Sequence, residues 1–439
     1  MKRLYLGFII ALVVALAVPF AASAQGGITY DSGFQVQNLN TSEQATIEIT
    51  FYNQNGSVAA TVPDTIAADD SNTYFPLSAV SDGFNGSVVI SSDKDIRAIG
   101  NVLGDGGAFG ASYSGFTGGS TEVSLPLLMK ENSGFNTWFN VQNAGSSATD
   151  VSVTYSDGVT ADCTNLAPGA ACTLDQANEA HASGWVGSAT VTTGTDGEPI
   201  VVSVMEVGPT TLFAYSGFTG GSTDVVMPLV NANNSGYFTG IQIQNMGGSS
   251  TDVTLSYTPG LAGSSCTETQ TIPAGDSRTF ALVAFSASGV CGDQRFIGAA
   301  EVTANSANAD LVAIVNQLNT GANKGAAYEG FDPTSATDTV VMPLIMDRNG
   351  GYYTGFSVAN VGTSSTSVSC TFSGTSHTES DTLAPGEAMT PIQGDQIANG
   401  YVGSATCTAG SGGQIVGVVN ELNPNLSGDA FLVYDAFNK

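Results

Sequence analysis

Apolar and polar residues alternate along this chain in short runs separated by turn residues. Val151, Val153 and Tyr155 are interleaved with Ser152 and Thr154, the two-residue period of a half-buried strand. Ile47, Ile49 and Phe51 show the same pattern, as do Val253, Leu255 and Tyr257, and Val368, Cys370 and Phe372. Gly187 to Val191 and Ile200 to Val204 read as two consecutive strands. Between them stand turns such as Ala167-Pro168-Gly169, where proline fixes φ and glycine permits a positive one. No segment sustains a 3.6-residue period with caps, so the pattern predicts an all-β chain.

The pattern repeats. Phe34-Gln-Val-Gln-Asn38 returns as Phe139 to Asn143, Ile241 to Asn245 and Phe356 to Asn360, with the asparagines 105, 102 and 115 residues apart. Tyr113-Ser-Gly-Phe116, Tyr215-Ser-Gly-Phe218, Tyr328-Glu-Gly-Phe331 and Tyr434-Asp-Ala-Phe437 close the four units. Gly86-Ser87, Gly187-Ser188, Gly298-Ala299 and Gly403-Ser404 form a third series. After a leader at 1–24, the units are 25–116, 117–218, 219–331 and 332–439. About seven strands in some 105 residues predict a β-sandwich for each unit.

The run of Gln142-Asn143, a Gly/Ser turn, the Val151–Tyr155 strand, a Pro-Gly turn, Gly187-Ser188-Ala189 and a later Val418-Val419-Asn420 strand resembles the immunoglobulin-like repeats of exported bacterial cell-surface proteins. The resemblance covers nearly all of the chain after the leader. It implies four tandem immunoglobulin-like sandwiches with a structural or adhesive role, and it carries over no catalytic residues.

Met1-Lys2-Arg3, the apolar stretch Leu4 to Phe20 and Ala22-Ser23-Ala24 have the form of a signal peptide cleaved before Gln25. No later apolar run is long enough to span a membrane, so the mature chain is expected to be secreted or held at the cell surface. Lys and Arg number 10 against 38 Asp and Glu, a net charge of −28, which excludes nucleic acid and anionic membranes as partners.

Six cysteines fall two per unit in units 2 to 4: Cys163 with Cys172, Cys266 with Cys291, and Cys370 with Cys407. Export favours disulfides over metal ligation, given no CxxC and only two histidines. Cys370 takes the place of Val153 and Leu255, and Cys407 that of Val191 and Val302, so this bond is expected to cross-link the sandwich interior as in immunoglobulin domains. Cys163 and Cys172 flank the Pro-Gly turn and are expected to staple a loop.

Motifs for a serine nucleophile, a zinc protease, a phosphate loop and a calcium loop are absent from the sequence. His181 and His377 have no counterparts in the sister units and read as solvated loop residues. Asn38, Asn143, Asn245 and Asn360 are expected to bond their own turns. Asn101, Asn316 and Asn420 recur late in the unit with Glu206 as the exception, and the closing Tyr and Phe residues are expected to pack neighbouring units together. Trp138 and Trp185 read as core or strand-face packing, with an exposed sugar-stacking pair as the sharper alternative. The chain is expected to be a short rod of four autonomous or nearly autonomous sandwiches: a non-enzymatic structural or adhesive protein without cofactor or metal, meeting itself, an envelope protein or a glycan. The alternative is a secreted carbohydrate-binding protein.

One asymmetry stands out. Pro126, Pro228 and Pro343 each precede the anchor asparagine by 17 residues, and 17 before Asn38 falls within the leader. The mature first unit is therefore expected to lack its first strand, leaving an edge open to strand addition unless Ile28-Thr29-Tyr30 covers it.

Overall fold

A computed structural model describes residues 12–16 and 28–439, apart from 196, 282–284, 286–290, 293 and 307–308. The expected cleavage site lies outside the described residues. Strands dominate, and the only helix among the described residues is a single 3-10 turn at Pro333–Ser335. None of the described residues form a helix long and apolar enough to cross a membrane.

Each unit is a sandwich of two antiparallel sheets. In unit 2 the strands are Glu122–Lys130, Asn136–Asn143, Thr149–Tyr155, Thr160–Leu166, Ala171–Asp175, Trp185–Thr192, Ile200–Val207 and Leu212–Ser216. That is eight, where about seven were expected. The fifth, Ala171–Asp175, is half-buried throughout and lacks the alternation that would reveal it. One sheet runs first, sixth, third, fourth; the other runs fifth, second, seventh, eighth. Units 1 and 3 repeat this order, and in unit 4 the first and second strands also meet, fusing the two sheets. The pairings second with fifth and third with sixth match those of B with E and C with F in an immunoglobulin sandwich. The first and seventh strands exchange places relative to it: the first flanks the sixth and the seventh flanks the second.

In units 2 to 4 a tyrosine on the eighth strand closes the unit on itself. The hydroxyls of Tyr215, Tyr328 and Tyr434 donate to the carbonyls of Leu127, Leu229 and Leu344 at 2.7, 2.6 and 2.6 Å, each on its own unit's first strand. Phe218 and Phe331 then bridge to Ser124 and Val226 of the same strands. These residues were expected to join neighbouring units; they lock the last strand of a unit to its first.

The units do not form a rod. Their eighth strands, Phe109–Ser114, Leu212–Ser216, Lys324–Glu329 and Phe431–Asp435, pack side by side around one axis, and the fourth unit returns to touch the first. The cores follow the same cycle. Trp138 and Met205 of unit 2 join the core of unit 1, Ile314 and Ala327 of unit 3 that of unit 2, Val418 and Phe431 of unit 4 that of unit 3, and Ile99 of unit 1 that of unit 4. The result is a closed ring of four sandwiches whose cores interlock. Third strands such as Thr149–Tyr155 alternate buried and exposed because one face meets solvent, whereas seventh strands such as Ile200–Val207 are buried on both faces.

In unit 1 the place beside the sixth strand, Gly86–Ser92, is held by Leu12–Leu16, paired antiparallel from Leu12 opposite Ser92 to Leu16 opposite Val88. Ile28-Thr29-Tyr30 does not cover that edge: Tyr30 begins the second strand and pairs with Gly104 in the other sheet.

Candidate functional site

Some of the residues that recur in the sequence meet at the unit interfaces. Gly187-Ser188 of unit 2 reaches the turn after the fourth strand of unit 3, where the Ser188 hydroxyl donates to Gly275 O at 3.0 Å. Ser87 does the same to Gly169 O at 3.1 Å and accepts from Gln142 Nε2 at 2.8 Å. The proline carbonyls of the first strands also face the next unit. Pro228 O accepts from Ser357 Oγ at 2.7 Å, and Pro343 O from Gln35 Nε2 at 2.8 Å.

Deeper in each seam a seventh-strand residue of one unit meets the following position of its neighbour. Asn316 donates to Glu206 at 2.7 Å, Asn420 and Gln317 exchange bonds at 3.1 and 3.3 Å, and Asn101 bonds Glu421. At the fourth seam the pair is apolar, Met205 and Val102, in one buried cluster. Strand register corrects the sequence alignment here. Met205, opposite Trp138, holds the place of Asn101, Asn316 and Asn420, while Glu206 is equivalent to Val102, Gln317 and Glu421. Burial pushes Glu206 and Glu421 up to about 8, with their asparagine partners pulling the other way.

Each polar pair underlies a cleft. The cleft between units 3 and 4, about 490 Å³, is larger than the other two, and Tyr237, Tyr353 and Phe356 line it above Gln317 and Asn420. A chain of amides continues along it: Asn234 donates to Asn231 at 2.9 Å, and Asn231 to Gln317 at 3.2 Å. Leu261 and Ile392 stand on its rim, 67% and 66% exposed. Among the described residues no carboxyl or base lines it, unlike the clefts holding Glu206 or Glu421. The second strand supplies a glycine to three clefts, Gly33, Gly240 and Gly355. At the seam between units 1 and 2 the equivalent residue is Trp138.

Trp138 is 4% exposed and packs edge-on against Tyr30 at 6.0 Å. Trp185, on the opposite sheet, is half-buried and stacks flat on His181 at 3.8 Å. The two therefore form no common exposed face. His181 is not a solvated loop residue. It is buried, with Nδ1 on Asp157 at 2.8 Å, Nε2 on Gln176 at 3.0 Å and its ring against Tyr155. Both ring nitrogens are engaged, which fastens the loop after the fifth strand. His377 is half-buried beside Glu379 at 2.9 Å.

The anchor asparagines are fully buried turn fasteners. Asn143 donates to Ser147 O and Leu166 O at 2.7 and 2.8 Å and accepts from Gly145 N at 2.8 Å. Asn245 and Asn360 repeat the arrangement, and Asn38 donates to Ile66 O at 3.1 Å.

All three cysteine pairs are bonded as expected, but two of their roles are reversed. Cys370 and Cys407 lie directly opposite each other on adjacent strands of one sheet, with Cα atoms 3.9 Å apart. That bond does not join the two sheets. Cys163 and Cys172, on the fourth and fifth strands, do join them, across 6.4 Å. Sequence distance misled here, since nine residues around a turn suffice to pass from one sheet to the other.

At the axis itself the fourth unit holds the other three. The Asp429 carboxyl accepts from Leu212 N and Gly325 N, both at 2.8 Å. A side chain on Gly325 would run into the Phe213 ring, so glycine is needed for that approach. Further along, Asp435 bonds Glu329, and Ser216 N donates to the same Glu329. Burial and the Glu329 carboxyl push Asp435 well above the usual range. No protein-family model matches the chain, and no curated protein matches it in sequence.

Proposed function

We propose that the chain is an exported, non-enzymatic structural or adhesive protein of the cell surface. The observation that supports this reading most is the closed ring: the recurrent polar residues hold one unit to the next, and the fold is a rigid support with clefts on its seams. Three disulfides suit an oxidising location, and the dearth of basic residues suits solubility outside the cell. Cell fractionation tests it: the chain is expected in the envelope or the medium, and recovery in the cytoplasm with reduced cysteines would sink the reading.

The second reading, a secreted carbohydrate-binding protein, is favoured by the cleft between units 3 and 4. A neutral sugar presents apolar faces to rings such as Tyr237 and Tyr353 and hydroxyls to amides such as Asn231. A glycan array with wild type and Tyr353→Ala separates the two readings. Saturable binding lost in the variant supports carbohydrate recognition; no binding across neutral glycans leaves the structural role.

A further inference from the structure

We infer that the sixth strand of unit 1, Gly86–Ser92, is a strand-accepting edge: once the leader is removed, it takes an extended apolar segment of another chain in antiparallel register.

The sister units define the vacancy. In units 2, 3 and 4 the matching edge is covered by the unit's own first strand, Glu122–Lys130, Asp224–Ala232 and Thr339–Asn349. In unit 1 it is covered by Leu12–Leu16, which belong to the segment read as a cleaved leader. Among the described residues after the leader, none takes that place. From Tyr30 onward the backbone is paired with the seventh strand in the other sheet, and Gln25-Gly26-Gly27 carry no apolar side chain to put into a core.

The same comparison states what the occupant must be. Val123 and Leu125 stand opposite Val191 and Ala189; Val225 and Met227 opposite Val302 and Ala300; Val340 and Met342 opposite Cys407 and Ala405. All six are at most 2% exposed. The corresponding places in unit 1 lie opposite Ile90 and Val88, where the register puts Val14 and Leu16. An occupant therefore needs two apolar residues at positions i and i+2 of an extended, uncharged run. Without one, Ile47, Ile49, Val88 and Ile90 lose the cover of their sheet edge, the condition in which an edge recruits another strand.

Hydrogen exchange on residues 25–439 tests this, with and without a lysine-flanked synthetic peptide carrying residues 11–18. The amides of Val88 to Ile90 are expected to exchange at least tenfold faster than those of Ala189 to Val191 in the same molecule. The peptide should restore their protection, and a peptide with Val14→Asp and Leu16→Asp should not. Protection of these amides without peptide in a monomer would overturn the proposal, as would a peptide effect indifferent to the two aspartates. Protection through a dimer of 25–439 would also overturn it, assigning the edge to a second copy.

Discussion

Asp429 in the fourth unit donates its backbone N–H to the carbonyl of Ala108 in the first at 2.6 Å, while its carboxyl holds the second and third. One side chain and its own peptide thus touch all four units. Removing the carboxyl leaves two buried N–H groups without an acceptor, at roughly 1–3 kcal/mol each. Asp429→Ala is expected to lower the urea midpoint of the whole ring accordingly, and Asp429→Asn, which retains one acceptor oxygen, to recover part of the loss. Equal midpoints for Asp429→Ala and wild type would show that the axis does not hold the ring.

The buried acids give stability a definite pH dependence. Glu206 and Glu421 are pushed from 4.5 up to about 8, and Asp429 from 3.8 to about 8, burial being the main cause in each. Between those limits the fold keeps protons that the unfolded chain has released. Their contribution is therefore complete below about pH 4, declines as pH rises and is lost above about 8. Glu206→Gln with Glu421→Gln is expected to lose less stability between pH 5 and pH 9 than wild type does. An equal loss of stability between pH 5 and pH 9 in the variant and the wild type, read from urea midpoints, would assign the titration elsewhere.

The Cys370–Cys407 bond sits where Ile49 faces Ile90, Val153 faces Val191 and Leu255 faces Val302. An apolar pair already fills this site in three units. Cys370→Val with Cys407→Val is expected to keep the ring and to cost about 2–4 kcal/mol, the loss of loop closure alone. Peptide mapping without reduction should recover the wild-type cysteines as this pair, and a much larger destabilisation would mean that the site does not tolerate valine.

An isolated third unit, residues 222–331, is expected to show a β-type circular dichroism spectrum but to melt below the whole chain and to bind an apolar dye. Its core ordinarily includes Val418, Phe431 and Val433 of the fourth unit, which the fragment lacks. A fragment that melts with the full-length protein and binds no dye would restore the picture of independent beads.

The strands, the four-unit repeat and the three cysteine pairs were legible because each leaves a local mark: period-two alternation, a recurring asparagine, two cysteines per unit. Ring closure left no such mark. Asn101 and Glu421 are 320 residues apart, and a side chain buried against a neighbouring unit looks no different in sequence from one buried in its own core. A partial signal existed in the near-continuous apolar runs at Ile200–Val207 and Leu311–Asn319, which mark strands covered on both faces. The clefts were missed for a similar reason. Their glycines sit five residues before the anchor asparagine in three units, and only the register shows that Trp138 takes the fourth such place.

Closure also fixes copy number. An open stack of repeats lengthens by one whenever its gene gains one, because each end presents the surface that the next repeat needs. Here the seam between units 4 and 1 is already occupied, by Glu421 on Asn101 and Pro343 on Gln35. A fifth repeat would have to break that seam and change the angle at every other one. Variation by duplication is therefore closed to this architecture, and diversity is left to the loops and to the four seams themselves.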